Sequence, residues 1–176
     1  MKGPLQNFTS SGRSVITHWR KKITIPITNF GFAGPLTNVY GSFGSTLLVP
    51  RPRAVSFLST NIGWAVGSQY DGGRGVNVSS ILKTSGNGAT NWSFQSPGAS
   101  FELASFTDVD FVDANRGWIA ANDKGILCTT NGGTIWAQQT NGLNGSSILC
   151  LEFVDANTGW AVDGSYYYQK IYKTVN

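Results

Sequence analysis

Charge is scarce in this sequence: Asp, Glu, Lys and Arg make up 12% of 176 residues, and residues 1–70 contain no acid at all. That acid-free stretch carries seven Lys or Arg, whereas the remainder has six against nine acids. Basic charge spread so thinly, with only Arg20, Lys21 and Lys22 clustered, is a poor footprint for a polyanion, so nucleic acid is not expected as a partner. Histidine is nearly absent too. The single one, His18, stands beside Trp19 and reads as a surface residue rather than a catalytic base. Two cysteines, Cys128 and Cys150, support neither a zinc site nor a disulfide framework; two unpaired thiols are expected, with Cys128 facing solvent or a rim. No apolar run reaches the roughly 18–20 residues a membrane helix needs, which argues against direct membrane insertion. The N-terminus lacks the apolar segment of a signal peptide, so the chain by itself carries no address.

What the sequence does have is glycine, 22 residues of it, and an internal repeat. Phe111-Val-Asp-Ala-Asn-Arg-Gly-Trp118 recurs as Phe153-Val-Asp-Ala-Asn-Thr-Gly-Trp160 and more loosely as Phe57-Leu-Ser-Thr-Asn-Ile-Gly-Trp64. A period of roughly 40–50 residues built from short strands points to propeller blades. In the clearest copy, alternating apolar runs at about 106–112, 117–122, 125–130 and 134–139 are separated by turn chemistry, which predicts four antiparallel strands. Glycine interrupts every window long enough for a helix. Asp113 and Asp155 open tight turns and are expected to cap them rather than to catalyse. Gly117 and Gly159 close the same turns and are expected at positive φ. Trp64, Trp118 and Trp160 recur at one position and are expected to be core residues packed between radial sheets.

A second motif follows the repeat in the second copy and, more loosely, in the first. Thr129-x-Asn131-x-Gly133-x-Ile135-Trp136 resembles a degenerate Asp-box, the hairpin between the third and fourth strands of sialidase-type blades. With Phe-Val-Asp-Ala-Asn-x-Gly-Trp upstream, it is similar to the propeller repeats of photosystem II assembly and stability factors, over about residues 53–176. The resemblance implies an all-β fold of four-stranded antiparallel blades in an incomplete propeller. It also implies a non-enzymatic module that helps to assemble or stabilise a membrane protein complex, with no cofactor, in an extracytoplasmic compartment such as a periplasm or thylakoid lumen. Partners would be proteins or further blades, and the isolated chain is expected to self-associate. Two departures bear on the transfer: Asn131 stands where the box has Asp, and Ala89 replaces the box Gly ahead of Trp92. The alternative is a fragment of a carbohydrate-active propeller, sialidase-like or glycan-binding. Glycoside hydrolysis needs two carboxylates placed across the scissile bond, and none of the nine acids departs from the repeat in such a setting.

Along the chain, residues 1–50 read as a basic N-terminal region with strands near Ser14–Trp19, Lys22–Thr28 and Ser45–Val49, and Arg51-Pro52-Arg53 reads as a boundary. Blades are expected at about 53–96, 105–140 and 147–176. Phe57, Gly63, Trp64 and Trp92 mark the first, Phe111, Asp113, Gly117, Trp118, Asn131, Gly133 and Trp136 the second, and Phe153, Asp155, Gly159 and Trp160 the third. Residues 68–80 read as a long loop, where Asp71 and Arg74 are candidates for partner contact. Asn176 aligns with Asn131, so the fourth strand of the last blade is expected from further chain or from the N-terminal region.

Overall fold

The computed structural model describes residues 48–86, 91–122, 124–139, 141–143, 146–164 and 170–175, with side chains from Arg51 onward. The expectations for His18, the strands before residue 48, Ala89 and Asn176 fall outside them. Among the described residues, eleven strands form three antiparallel sheets in simple up-and-down order. The first sheet holds β1 (Leu48–Phe57), β2 (Ile62–Asp71), β3 (Val76–Ser85) and β4 (Trp92–Gln95). In the second are β5 (Ser105–Phe111), β6 (Gly117–Asn122), β7 (Gly125–Thr129) and β8 (Ala137–Gln139). β9 (Ile148–Phe153), β10 (Thr158–Asp163) and β11 (Ile171–Val175) form the third. These are blades of a β-propeller.

The turns follow from their side chains. Asp113 Oδ1 accepts from the N–H groups of Asn115 and Arg116 at 2.7 and 2.8 Å, and Asp155 Oδ1 does the same for Asn157 and Thr158 at 2.7 and 2.8 Å. Ser59 Oγ fills the role in the first sheet, for Asn61 and Ile62 at 3.2 Å each. A short acceptor two residues ahead of the donors holds each hairpin closed.

Gly117 and Gly159 correct the expectation placed on them: neither lies in the left-handed region. Their role is close approach. A Cβ added at Gly63 or Gly117 would stand 2.5 Å from the ring of Phe57 or Phe111, and one at Gly159 would likewise meet Phe153. Each Phe faces its glycine directly across the sheet, Phe57 opposite Gly63, Phe111 opposite Gly117 and Phe153 opposite Gly159. The phenyl ring therefore lies flat over a residue with no side chain, a cross-strand pairing that only glycine permits.

Two other expectations change. Arg51-Pro52-Arg53 is no boundary, because β1 runs through it, and the register shifts between Pro52 and Ala54 so that Arg53 is an extra, bulged residue. Among the described residues β1 is the end strand of its sheet, where Pro52 is tolerated. The stretch read as a loop at 68–80 is mostly strand: Ser68 pairs with Ser79, Gln69 with Val78, Tyr70 with Asn77 and Asp71 with Val76. Only residues 72–75 turn. Polar residues such as Ser68, Gln69, Asn77 and Ser79 obscured the alternation there.

Two cores lie between the sheets. One gathers Trp64, Val66 and Ile81 with Phe106, Val109, Phe111, Ile119, Leu127 and Trp136; the other gathers Ala120 and Ile126 with Ile148, Leu151, Phe153 and Ala161. Successive residues of β6 thus face opposite cores, which is why Trp118-Ile-Ala-Ala121 reads as an unbroken apolar run.

The glycine assignment has a direct consequence. Gly117→Ala should destabilise by about 1–3 kcal/mol, as overpacking does, because the methyl group must displace the Phe111 ring. Chemical denaturation checks this; a gain of about 0.4–1 kcal/mol, the usual effect of stiffening an unstrained site, would refute it.

Candidate functional site: the exposed face and groove of the third sheet

The joint between consecutive sheets is built from the same register positions each time. Trp64 of β2 lies flat on Phe111 of the next sheet, centroids 3.5 Å apart and planes within 5°, and Trp118 of β6 lies on Phe153 at 3.6 Å and 2°. Beside each stack, the residue preceding the phenylalanine of one sheet accepts from the phenylalanine amide of the next. Phe111 N–H donates to Ser56 Oγ at 3.0 Å, and Phe153 N–H to Asp110 Oδ2 at 2.7 Å. Leu151 N–H donates to Asp108 Oδ2 at 2.9 Å.

The bulges take part as well. Register shifts occur at Pro52/Ala54, Phe106/Asp108 and Val162/Asp163, leaving Arg53, Thr107 and Leu149 as the equivalent extra residues. Arg53 reaches Ser105 Oγ at 2.9 Å, and Thr107 Oγ1 donates to Ile148 O at 2.7 Å. A bulge turns one extra side chain toward the neighbouring sheet, and here that side chain crosses the joint.

At the first joint the outer strands are sealed by the β7–β8 turn. Thr129 Oγ1 accepts from Gly133 N–H at 3.0 Å, and Asn131 Oδ1 accepts from Ile135 N–H at 2.9 Å and from the Thr129 hydroxyl at 3.0 Å. Asn131 thus offers the acceptor that an Asp would. Gly132 and Gly133 do adopt positive φ, 71° and 91°. The Gly132 carbonyl accepts from Trp64 Nε1 at 3.2 Å and from Lys83 Nζ at 3.0 Å, and Lys83 also sits 5.1 Å over the Trp64 ring. Trp136 closes the arrangement, 7% exposed and edge-on to Phe111. Trp92, at the corresponding place in the first sheet, is edge-on to Phe57.

The third sheet presents this whole set outward. Leu149, Glu152, Trp160 and Lys173 hold the positions of Thr107, Asp110, Trp118 and Cys128, and all four are exposed. Trp64 is fully buried and Trp118 half-buried, whereas Trp160 is 37% exposed, with Lys173 Nζ 5.5 Å over its ring. Trp160 was expected in the core. Its register position matches the other two, but among the described residues no phenylalanine lies on it. Ile171 and Val175, 75% and 66% exposed, continue the apolar surface along β11. Contiguous apolar exposure of this kind marks interaction surfaces.

Behind that face, between the second and third sheets, lies a cavity of about 350 Å³ lined by Trp118, Ile126, Gln139, Leu143, Phe153 and Tyr172 among others. Trp118, Ile126, Gln139 and Phe153 are the register equivalents of Trp64, Ile81, Gln95 and Phe111, which surround the Trp136 turn at the first joint.

The remaining candidates are placed elsewhere. Asp71 and Arg74 lie together at the β2–β3 turn, ion-paired at 3.2 Å, with Arg74 also bound to Glu102 at 2.7 Å. Asp71 Oδ1 further accepts from Gly73 and Arg74 N–H groups at 3.0 and 3.2 Å, so its carboxylate is engaged in holding the turn. Sequence reading missed Ser56, Asp108 and Asp110 as joint acceptors. The available signal was Asp108-Val109-Asp110, two carboxylates at alternate positions between Phe106 and Phe111, now 1% and 7% exposed. Among the described residues, no three His, Cys, Asp or Glu side chains converge as a metal-ion set. Cys128 and Cys150 are free, half-buried thiols, and Cys128 Sγ accepts from Gln139 Nε2 at 2.7 Å. Burial, with the negative charges of Asp108 and Glu152 nearby, raises the Cys150 pKa.

Comparison with known proteins places this geometry in a class, the β-propellers, by fold alone. No protein-family model matches the chain, and no curated protein matches it in sequence. Solved structures do. One is YCF48 bound to a D1 peptide, at 22% identity and a TM-score of 0.53 over 73% of this chain and 36% of that one. YCF48 from Cyanidioschyzon merolae matches at 14% identity and 0.50, over 72% and 38%. The Niastella koreensis GH74 enzyme matches at 19% and 0.55, over 71% and 21%. The matched part of this chain spans little more than a third of the YCF48 structures and about a fifth of the enzyme.

Two measurements test the assignment of buried and exposed positions. Trp64→Ala should cost about 3–5 kcal/mol, and Trp160→Ala less than about 1 kcal/mol, as for a surface site; equal losses in denaturant midpoint would contradict the geometry. The Cys150 thiol stays protonated to higher pH than a free cysteine, and the thiolate is the reactive species. Its alkylation rate should therefore rise with a midpoint above that of free cysteine under the same reagent; a midpoint at or below it would refute the burial argument.

Proposed function

We propose that the chain is a non-enzymatic β-propeller interaction module that docks a protein partner on its third sheet. The observation that carries this reading is the exposure of Leu149, Glu152, Trp160 and Lys173 at positions that bond or stack across the two internal joints. A surface with aromatic, aliphatic and charged side chains at spacings already used for sheet-to-sheet contact suits a protein better than a small ligand.

The acids support the same reading. Of those described, Asp108 and Asp110 serve the joints, Asp113 and Asp155 the turns, Asp71 and Glu102 the Arg74 cluster, and Asp163 accepts from the Tyr172 hydroxyl at 3.2 Å. Glu152 sits on the proposed docking face. Carboxylates so engaged are poorly placed to act as the acid and base of glycoside hydrolysis.

The resemblance to photosystem II assembly factors extends the proposal to assembly or stabilisation of a membrane protein complex in an extracytoplasmic compartment, and the β7–β8 turn is read as an Asp-box with Asn131 in the Asp role. A carbohydrate-active propeller is the second reading, favoured by the fold likeness to a glycoside hydrolase. Without a partner, the same face is expected to draw copies of the chain together.

A photo-crosslinking residue at position 160 should yield a defined adduct with a protein partner, and light scattering should report a mass above 18.9 kDa for the isolated chain. Turnover of a sialoside or β-glucan, abolished by substituting a single acid, would replace this reading with the carbohydrate-active one.

A further inference from the structure

We propose that Asn141-Gly142 is a site of spontaneous covalent modification, where the side-chain amide closes onto the following backbone nitrogen and reopens as aspartate or isoaspartate, and that the first joint withholds the same chemistry from Asn131-Gly132. This goes beyond the docking function proposed above and does not depend on it.

The reaction needs only an Asn-Gly pair and water. The glycine nitrogen gives its proton to solvent and attacks the asparagine Cγ; a C–N bond forms, the Cγ–Nδ2 bond breaks, and the side-chain nitrogen leaves as ammonia. Water then opens the cyclic imide. Attack at the Cγ carbonyl gives aspartate on the original backbone, whereas attack at the main-chain carbonyl gives isoaspartate, with the backbone rerouted through Cγ. Nothing is oxidised or reduced. Glycine is the favourable second residue because it has no Cβ to obstruct the approach and the widest choice of backbone angles. Asn-Gly pairs occur at Asn87, Asn131, Asn141 and Asn144, of which those beginning at 131 and 141 lie among the described residues.

The fold treats these two pairs in opposite ways. Gly132 is buried and its peptide is held at both ends: its N–H donates to Asn115 O at 2.8 Å, and its carbonyl takes the bonds from Trp64 Nε1 and Lys83 Nζ. The Asn131 amide is fixed through Oδ1 by Ile135 N–H and the Thr129 hydroxyl. Its Cγ and the Gly132 nitrogen cannot close without breaking bonds that cross the joint. Asn141 and Gly142 are exposed, Gly142 has a φ of 75°, and nothing lies within 4 Å of where a Cβ on it would stand. Among the described residues neither the Gly142 N–H nor the Asn141 amide has a hydrogen-bond partner. The turn is anchored one residue later, by Leu143, whose side chain is buried in the second core and whose carbonyl accepts from Ser146 N–H at 2.6 Å. Aspartate at 141 adds a negative charge to the connection between β8 and β9, and isoaspartate also lengthens its backbone. At Asn131 the same lengthening would displace the acceptor that holds the β7–β8 turn, so the joint that uses this turn also preserves it.

The test incubates the 176-residue protein at neutral pH, once folded and once in guanidinium at the same pH. Proteolysis in acid followed by tandem mass spectrometry then measures ammonia loss and isoaspartate at each asparagine. In the folded protein Asn141 should convert at least about tenfold faster than Asn131, whose reaction must wait for the joint to open. In guanidinium the two rates should converge, because both asparagines then precede an unrestrained glycine. Equal rates in the folded protein, or an Asn141 that stays intact there while converting in guanidinium, would overturn the proposal. A gap that persists in guanidinium would show that local sequence, not the joint, spares Asn131. Conversion of Asn141 to aspartate with no isoaspartate would mean direct hydrolysis and would overturn the ring closure.

Discussion

Everything in this molecule leans on a three-layer contact repeated at each joint: a glycine, the phenyl ring that covers it, and the tryptophan of the preceding sheet stacked on the far side of that ring. Gly117, Phe111 and Trp64 make the first, and Gly159, Phe153 and Trp118 the second. The glycine is needed because the ring must lie flat against the sheet, and the ring must lie flat so that the next aromatic can stack. Remove the glycine and the phenyl ring must tilt. A tilted ring offers the tryptophan an edge where the joint requires a face.

Polar contacts set this stack in register rather than drive it. The apolar burial between sheets is the large term, but it is indifferent to a small slide of one sheet against the next. Amide-to-acceptor bonds from Phe111 to Ser56 and from Phe153 to Asp110 remove that freedom. They use an acceptor one residue ahead of each phenylalanine, and the bulged residues Arg53 and Thr107 add a second crossing point. A buried carboxylate is costly unless bonded, so Asp108 and Asp110 tie correct spacing of the sheets to their own satisfaction. The joint thereby becomes specific.

The third sheet carries the same machinery without its counterpart among the described residues. Its exposed Trp160, its cation over the ring and its bulged Leu149 are the features that elsewhere bind the next sheet. The functional reading therefore grows out of the structural one: the surface that suits a partner is the surface built for a blade. Fold likeness to both YCF48 and a GH74 enzyme shows the scaffold, and a scaffold by itself does not fix chemistry.

Much of this was legible in the sequence. The internal repeat marked the blades, and the hairpin turns at Asp113 and Asp155 follow from side chains that bond only a few residues away. Local chemistry is what a sequence displays. The role of Gly117 was misread because a glycine closing a turn and a glycine beneath a ring look identical in one dimension; only the cross-strand register puts Phe111 over it. The hairpin at Asp71 and Arg74 was hidden because Ser68, Gln69, Asn77 and Ser79 put polar side chains along its paired strands and left too few apolar positions to show a period. Above all, Trp64, Trp118 and Trp160 occupy one repeat position yet are buried, half-buried and exposed in turn. The sequence by itself determined that each would stand at the same height on its sheet. Which of them meets a neighbour is decided by tertiary structure, since burial belongs to the pair of sheets that meet and not to the residue that repeats.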